Sequence, residues 1–174
     1  EVQADKLLAK LSGPPIVENF PGGSQAAHKR LQVFLGSRLG HYSERRSDPA
    51  ADEGYASGLS PYLHFGHISV HEILRSVAAV ESWEPSFFTK KANGSKEGTW
   101  GMSGNAESFL DELVTWRELG YGYCYHHPTS FADFDSLPAW AIKTLTEHST
   151  DVRPWLYTPE QLDQGRTHDK VWNA

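Results

Sequence analysis

Apolar side chains recur at helical spacing along most of the chain. The longest series consists of Leu31, Phe34, Leu35 and Leu39. Its i, i+3, i+4 and i+8 spacing predicts an amphipathic helix, for which Ser24 is a suitable N-cap. No stretch alternates persistently between apolar and polar residues, as a half-buried strand would. The pattern therefore predicts an all-α fold.

Local start signals predict further helices downstream. The segments 69–72 and 158–161 are capping boxes, in which two side chains satisfy the free N–H groups of a first helical turn. Single capping residues precede the other predicted helices: Ser60 before Pro61, Ser136 before residues 137–148, and Thr167 before a last helix. Apolar spacing from Asn105 onward predicts one more helix.

Glycine and proline mark the organisation of the chain. Residues 2–11 predict a short leading helix, and the Gly- and Pro-rich residues 12–23 predict a linker. We therefore divide the chain into a leading segment, 1–23, and a helical domain, 24–174. The polar segments 43–58 and 89–104 interrupt the helices, and the second, Gly-rich and locally basic, predicts a mobile loop.

Composition narrows the class of protein. The length of 174 residues, 39% hydrophobic and 22% charged, is typical of a globular domain. Cys124 is the only cysteine and has no internal disulfide partner, which predicts a reducing, cytoplasmic setting. The sequence contains neither an apolar run of membrane-spanning length nor a signal peptide. A formal charge of −6 argues against a polyanion-binding surface over the whole molecule.

Two short patterns carry candidate chemistry. The segment from Ser57 to Ser60 places two hydroxyls and a glycine at a helix start, where free N–H groups favour a phosphate. An ordinary cap and turn explains the same residues, and spacing alone favours that interpretation. Glu112 and Trp116 stand at i, i+4, where a carboxyl beside a ring would suit a flat heterocycle. A half-buried Trp beside a solvated Glu fits equally well.

The histidines do not predict a metal site. His64, His67 and His71 would need one continuous helix to converge, and Gly66 and the cap at Ser69 interrupt it. Cys124 and His126 do not form a nucleophilic pair, because i, i+2 residues do not face each other on a helix. These histidines are more simply interpreted as ordinary buried or surface residues than as metal ligands or catalytic groups.

Three segments together resemble the photolyase/cryptochrome family, and in particular class II cyclobutane pyrimidine dimer photolyases. They are residues 57–69, residues 112–119, and the run from Leu137 that contains Leu-Pro-x-Trp-Ala and ends in Thr-His-Asp-x-x-Trp-Asn-Ala. They span most of residues 28–174 in the family's order. The resemblance implies a multi-helical FAD-binding domain, truncated at its C-terminal side. It also implies a preceding α/β domain that holds an antenna chromophore.

The resemblance assigns roles to individual residues. The FAD pyrophosphate would lie against Ser57, Gly58, Leu59 and Ser60. Tyr42 would contact the cofactor, Glu112 would hydrogen-bond to the pyrimidine dimer, and Trp116 would form the platform under it. Trp172 would relay electrons to the flavin, and the other four Trp residues are expected in the core.

The implied activity is light-driven repair of UV-damaged DNA. Reduced, anionic FAD would pass one electron to a flipped-out dimer and recover it after two bonds break. The full-length protein is expected to be a monomer without an obligate protein partner. The alternatives are a blue-light photoreceptor and a helical interaction module. His67, where Gln is more usual, and the Gly120–Tyr123 continuation depart from the family's pattern.

Overall fold

The computed structural model describes residues 20–48, 54–89 and 98–173. Helices, turns and irregular segments make up these ranges, which contain no strand. The all-α prediction is therefore confirmed for the described part of the chain. None of its helices is long and apolar enough to cross a membrane. The leading helix predicted at 2–11, and residues 12–19 of the predicted linker, lie outside the described residues.

The first helical run extends from Ser24 to Arg45 and changes its winding along the way. It consists of α1 (Ser24–Val33), a π-helical turn (Phe34–Arg38), a 3-10 turn (Leu39–His41) and α2 (Tyr42–Arg45). The prediction of Ser24 as N-cap is wrong, because Gly23, at φ 96°, precedes the helix and no side chain caps it.

A second group of helices follows, and two of them are joined by another π-helical turn. They are α3 (Ser60–His64), α4 (Val70–Val80), α5 (Gly104–Leu110), a π-helical turn (Asp111–Trp116), α6 (Arg117–His126), α7 (Ala139–Glu147) and α8 (Pro159–Asp163). Short 3-10 turns occur at Pro85–Phe87 and Phe134–Ser136. Single-turn π insertions are rare and often accompany functional sites.

One of the two predicted capping boxes is complete in the structure, and the other forms only in part. Thr158 and Gln161 form the predicted capping box at α8, and Ser69 accepts from the Glu72 N–H at α4 as predicted. The second half of the α4 box is absent, because the Glu72 carboxylate contacts His28 at 2.5 Å instead. That contact is the main reason why the pKa of His28 is raised.

Three predicted caps are wrong. Ser60 is already the first residue of α3, so Leu59 occupies the N-cap. Ser136 accepts a hydrogen bond from the Tyr123 hydroxyl at 3.0 Å, and Pro138 precedes α7. Thr167 binds the side chain of Asn173 within a non-helical turn, so the predicted last helix does not form.

The buried core lies where the Ser24–Arg45 run, α4 and α5 meet. Its apolar members are Ala27, Leu31, Phe34, Leu39, Tyr42, Leu59, Tyr62, Ile68, Ile73, Val77, Ala106, Phe109, Leu110 and Leu113. Phe34 and Phe109 contact each other at its centre, with ring centroids 4.6 Å apart. Burial of these side chains supplies the main stabilising free energy.

Asn105 joins the Ser24–Arg45 run to α5. Its side-chain oxygen accepts from the N–H and hydroxyl of Ser43 at 2.8 and 2.7 Å, and its amide nitrogen donates to the Gly40 carbonyl at 2.7 Å. One amide therefore satisfies polar groups within the Leu39–His41 turn and in α2, which follows it. This contact sets the register between the two helical segments that carry Tyr42 and Glu112.

Glu107 organises the segment in front of α5. It is 2% exposed, and its carboxylate accepts from the backbone N–H groups of Gly98, Trp100, Gly101 and Met102. A buried carboxylate is tolerated when it is fully hydrogen-bonded in this way. The predicted mobile loop is thus held firmly over residues 98–102, whereas residues 90–97 lie outside the described residues.

The described residues after Leu113 contain no buried side chain. Large apolar groups are exposed there, among them Trp140 at 72%, Leu156 at 80% and Val152 at 97%. The expectation that the four remaining Trp residues lie in the core is therefore wrong for Trp140 and Trp155. Helices as short as α7 and α8 are marginal without tertiary packing.

Candidate functional site

Five residues singled out from the sequence line one small cavity. They are Tyr42, Ser57, Leu59, Ser60 and Glu112. The cavity measures about 170 Å³, and Leu63, Phe109, Leu113 and Arg117 complete its lining. The residues come from three separate parts of the chain, so the fold brings them together.

Tyr42 forms the buried wall of this cavity. It is 7% exposed, and its ring packs edge-on against Phe34 and Phe109 at 5.7 and 5.4 Å. Burial raises the pKa of its phenol, and the neighbouring Arg46 opposes that rise. The hydroxyl therefore stays protonated at neutral pH and is available as a hydrogen-bond donor.

The segment from Ser57 to Ser60 forms a turn against the core. Leu59 is 1% exposed and anchors the turn, while Gly58 adopts φ 66°, a left-handed conformation that favours glycine. The Leu59 N–H donates to the Ser57 hydroxyl at 3.4 Å. Two hydroxyls and the backbone of a glycine therefore stand beside the cavity.

Glu112 is held by an arginine that reaches across from α2. Nη1 of Arg46 lies 2.5 Å from Oε1 of Glu112, and the side chains are 29% and 41% exposed respectively. The guanidinium also lies 5.6 Å from the Tyr42 ring centroid. Contact with Glu112 is the main reason why the pKa of Arg46 is raised. Tyr42, Arg46 and Glu112 thus form one cluster of polar side chains at the cavity.

Trp116 and Trp172 do not line the cavity. The Trp116 indole donates to Asp111 at 3.0 Å across the π-helical turn, and 58% of the residue is exposed. Trp172 is 59% exposed and donates to the Leu162 carbonyl at 3.0 Å. The structure therefore groups the predicted cofactor residues with Glu112, while both Trp residues lie outside this cavity.

A larger cavity adjoins the first. It measures about 680 Å³ and shares Ser60, Leu63 and Arg117 with the smaller one. Ligand sites for organic molecules usually measure about 300–1,000 Å³ and combine apolar walls with a few polar groups. The smaller cavity alone cannot enclose a dinucleotide, but its donor set suits one wall of such a site.

Sequence reasoning missed several residues that shape this site. Arg46, which no sequence pattern singles out, pairs with Glu112. Arg117 lines both cavities, and Asn105 fixes the register of the helices behind them. A short-range pattern carries no signal for such pairs, because their partners are far away in sequence.

No histidine or cysteine lines the small cavity, whereas His64 and His71 line the larger one. His67 accepts from the Gly23 N–H at 3.2 Å and so joins the start of α1 to the turn after α3. Cys124 is exposed. Within the described ranges, no three His, Cys, Asp or Glu residues are grouped as metal ligands.

The known proteins to which this chain is similar all carry the same name. The chain is 36% identical to a deoxyribodipyrimidine photo-lyase of Oryza sativa subsp. japonica over 99% of its length, and 36% identical to one of Arabidopsis thaliana over 98%. It is 32% identical to one of Methanothermobacter thermautotrophicus over 89%. These matches cover 32%, 31% and 29% of the relatives, so the chain spans about a third of their length. No family model matches the chain.

Proposed function

This chain belongs to the photolyase family, and on that basis we propose that it is part of a light-driven enzyme that splits cyclobutane pyrimidine dimers in DNA. The observation that carries the proposal is the convergence of Tyr42, the Ser57–Ser60 turn and Glu112 on one cavity. These residues lie up to 70 positions apart in the sequence numbering. Such a repair site must hold the cofactor and the lesion next to each other, so the residues that bind them must line the same cavity.

The cofactor of this proposal is FAD, held in part by the residues described above. The Ser57 and Ser60 hydroxyls and the backbone around Gly58 would bind the pyrophosphate, because hydroxyl and N–H groups are suitable donors to phosphate oxygens. Tyr42 would donate a hydrogen bond from the buried wall. When bound in its reduced, anionic form, FAD supplies the light absorption and the electron for repair.

Glu112 is proposed as the residue that hydrogen-bonds to the lesion. Arg46 compensates its negative charge and fixes the carboxylate at the cavity edge. The Glu112 carboxylate, fixed in this way, would accept hydrogen bonds from N–H groups of a bound base, and the Arg46 guanidinium beside it would stabilise negative charge that develops there. Arg46 thereby limits the positions that the Glu112 side chain can adopt.

The two tryptophans have proposed roles outside the small cavity. Trp116 offers an exposed ring at the end of the π-helical turn that also carries Glu112, and we assign it to stacking beneath a flipped-out base. Trp172 is assigned to the electron relay. These assignments follow the family resemblance, and the exposure of both rings leaves them accessible to further partners.

UV-damaged DNA is the proposed partner. A cyclobutane dimer is already poorly paired, which lowers the cost of its extraction from the duplex. The net charge of −6 belongs to the chain as a whole, so DNA contacts would come from local groups of arginine and lysine. We place the enzyme in the cytoplasm as a monomer, with an antenna chromophore bound elsewhere in the full-length protein.

A repair assay tests the proposal. The full-length protein that contains this chain is incubated with UV-irradiated DNA, and dimers are counted after blue-light exposure and in darkness. Light-dependent loss of dimers is the expected result. A protein that binds flavin yet leaves dimers intact would instead favour the blue-light photoreceptor.

Substitution of Glu112 tests its assigned role in the same assay. Glu112→Ala is expected to lower the yield of dimer splitting by about a hundredfold, comparable with removal of one preorganised hydrogen-bonding group, while flavin remains bound. Glu147→Ala, at an exposed position on α7 that lines neither cavity, is the matched control. Equal loss of flavin and repair in Glu112→Ala would mean that Glu112 is structural.

A further inference from the structure

The segment that leads into the Ser57–Ser60 turn lies across a basic face of the Ser24–Arg45 helical run. The face is formed by Arg30, Arg38 and Arg45. The run is not a uniform helix between them, so their common side is defined by their contacts and not by their spacing. Each of them contacts a different residue between Tyr55 and Gly58.

The contacts follow the chain in order. Arg45 donates to the Tyr55 hydroxyl at 2.7 Å and stacks on its ring at 4.0 Å. Arg38 donates to the Ala56 carbonyl at 3.4 Å. The guanidinium of Arg30 packs against Gly58, where a Cβ would come within 2.9 Å of Nε and 3.1 Å of Cζ.

Arg30 makes the most specific of these contacts. A planar guanidinium can approach Gly58 closely only because glycine has no side chain, and the left-handed φ of 66° also favours glycine there. The guanidinium carbon of Arg30 also lies over the ring of Phe20, 5.0 Å from its centroid. In the described part of the chain, none of the three arginines forms an ion pair.

We propose that Arg30 is a positioning residue for the Ser57–Ser60 turn and that it sets the affinity of this turn for the phosphates of a dinucleotide. Arg30 does not line the small cavity, so it acts through Gly58. It restricts the glycine to one conformation, which removes part of the entropy cost of ordering the turn when a ligand binds. The identity of the ligand rests on the proposed function, whereas the effect on the turn does not.

The first test measures order in the turn without any ligand. Hydrogen exchange is followed in the flavin-free full-length protein for Arg30→Ala, Arg30→Lys and the matched control Lys29→Ala, which changes an exposed neighbour on α1. The Leu59 amide is expected to exchange about tenfold faster in Arg30→Ala, while core amides such as that of Phe34 are unchanged. Arg30→Lys is not expected to restore protection, because an ammonium group is not planar.

The second test measures FAD binding in the same protein. Arg30→Ala is expected to raise the dissociation constant of FAD by about tenfold, a loss of about 1.4 kcal/mol, and Lys29→Ala to leave it unchanged. In a double-mutant cycle, Gly58→Ala should be less harmful when Arg30 is already Ala, because the Cβ clash has been removed.

The outcomes separate this inference from the proposed function. A wild-type protein that binds no FAD would refute the proposed function, and the exchange experiment would still test the role of Arg30. The inference is overturned if Arg30→Ala leaves the exchange of the Leu59 amide unchanged. Equal loosening of the core and the turn would also overturn it, because Arg30 would then be a general stabilising residue.

Discussion

At the scale of single residues, the site depends on charges that hold one another in place. Arg46 connects the buried Tyr42 phenol with the half-exposed Glu112 carboxylate. The sequence separation of Arg46 and Glu112 is 66 residues, so the pair exists only in the folded chain. Its measurable consequence is the titration of Tyr42.

Removal of Arg46 should raise the pKa of Tyr42 further. Burial already raises it, and Arg46 lowers it through a hydrogen bond and through its charge. Arg46→Ala removes the lowering contribution, so the phenol should ionise at a higher pH than in the wild type. NMR titration of labelled tyrosine measures this, with Arg45→Ala as the matched control. A lower Tyr42 pKa in Arg46→Ala would contradict the proposed contact.

Glu107 is the residue whose loss should damage the fold most directly. Its buried carboxylate accepts from four backbone N–H groups. Glu107→Gln replaces one acceptor oxygen with a donor and should lower the free energy of unfolding by about 1–3 kcal/mol. Urea denaturation measures the change, and Glu84→Gln at an exposed position is the control. Equal stability of both variants would show that the buried hydrogen bonds contribute little.

At the scale of elements, changes of helical winding lie close to the site. The π-helical turns Phe34–Arg38 and Asp111–Trp116 meet the core through Phe34 and Leu113, and the second carries Glu112. A π turn alters the direction of the side chains that follow it. The helical wheel drawn from i, i+4 spacing therefore does not describe Glu112 and Trp116, and the structure has Trp116 hydrogen-bonded to Asp111 instead.

Asn105 is the element-scale contact that we expect to be most sensitive to mutation. It makes three hydrogen bonds that join α5 to the residues around Leu39–His41. Asn105→Ala should lower the free energy of unfolding by about 1.5–4.5 kcal/mol, at about 0.5–1.5 kcal/mol for each bond. Asn105→Asp keeps the acceptor and should be milder. Thermal unfolding of the two variants measures the difference, and the reverse order would refute this account.

At the scale of the whole molecule, buried and exposed apolar residues are unevenly distributed. The core involves residues up to Leu113, whereas the described residues that follow expose most of their large apolar groups. Residues 114–173 therefore contribute little to the core formed by the first part of the chain. Exposed apolar patches of this kind usually mark an interaction surface.

The chain of residues 1–174 should bind FAD weakly and should not repair DNA by itself. The small cavity holds about 170 Å³, well below the size that encloses most organic ligands. Titration with FAD, followed by flavin fluorescence, is expected to give a dissociation constant at least about a hundredfold higher than that of the full-length protein, a difference of about 2.8 kcal/mol. A stoichiometric yellow complex with repair activity would refute this prediction.

The resemblance to the photolyase family pointed to Tyr42, Ser57–Ser60 and Glu112, whereas the sequence by itself determined the helical architecture and two of the helix starts. Those features depend on neighbours within about four positions, where periodicity and capping act. Tertiary structure alone decided the Arg46–Glu112 pair, the Asn105 bridge and the packing of Arg30 on Gly58. These contacts join residues 28 to 66 positions apart, and they form only when core burial brings distant helices together.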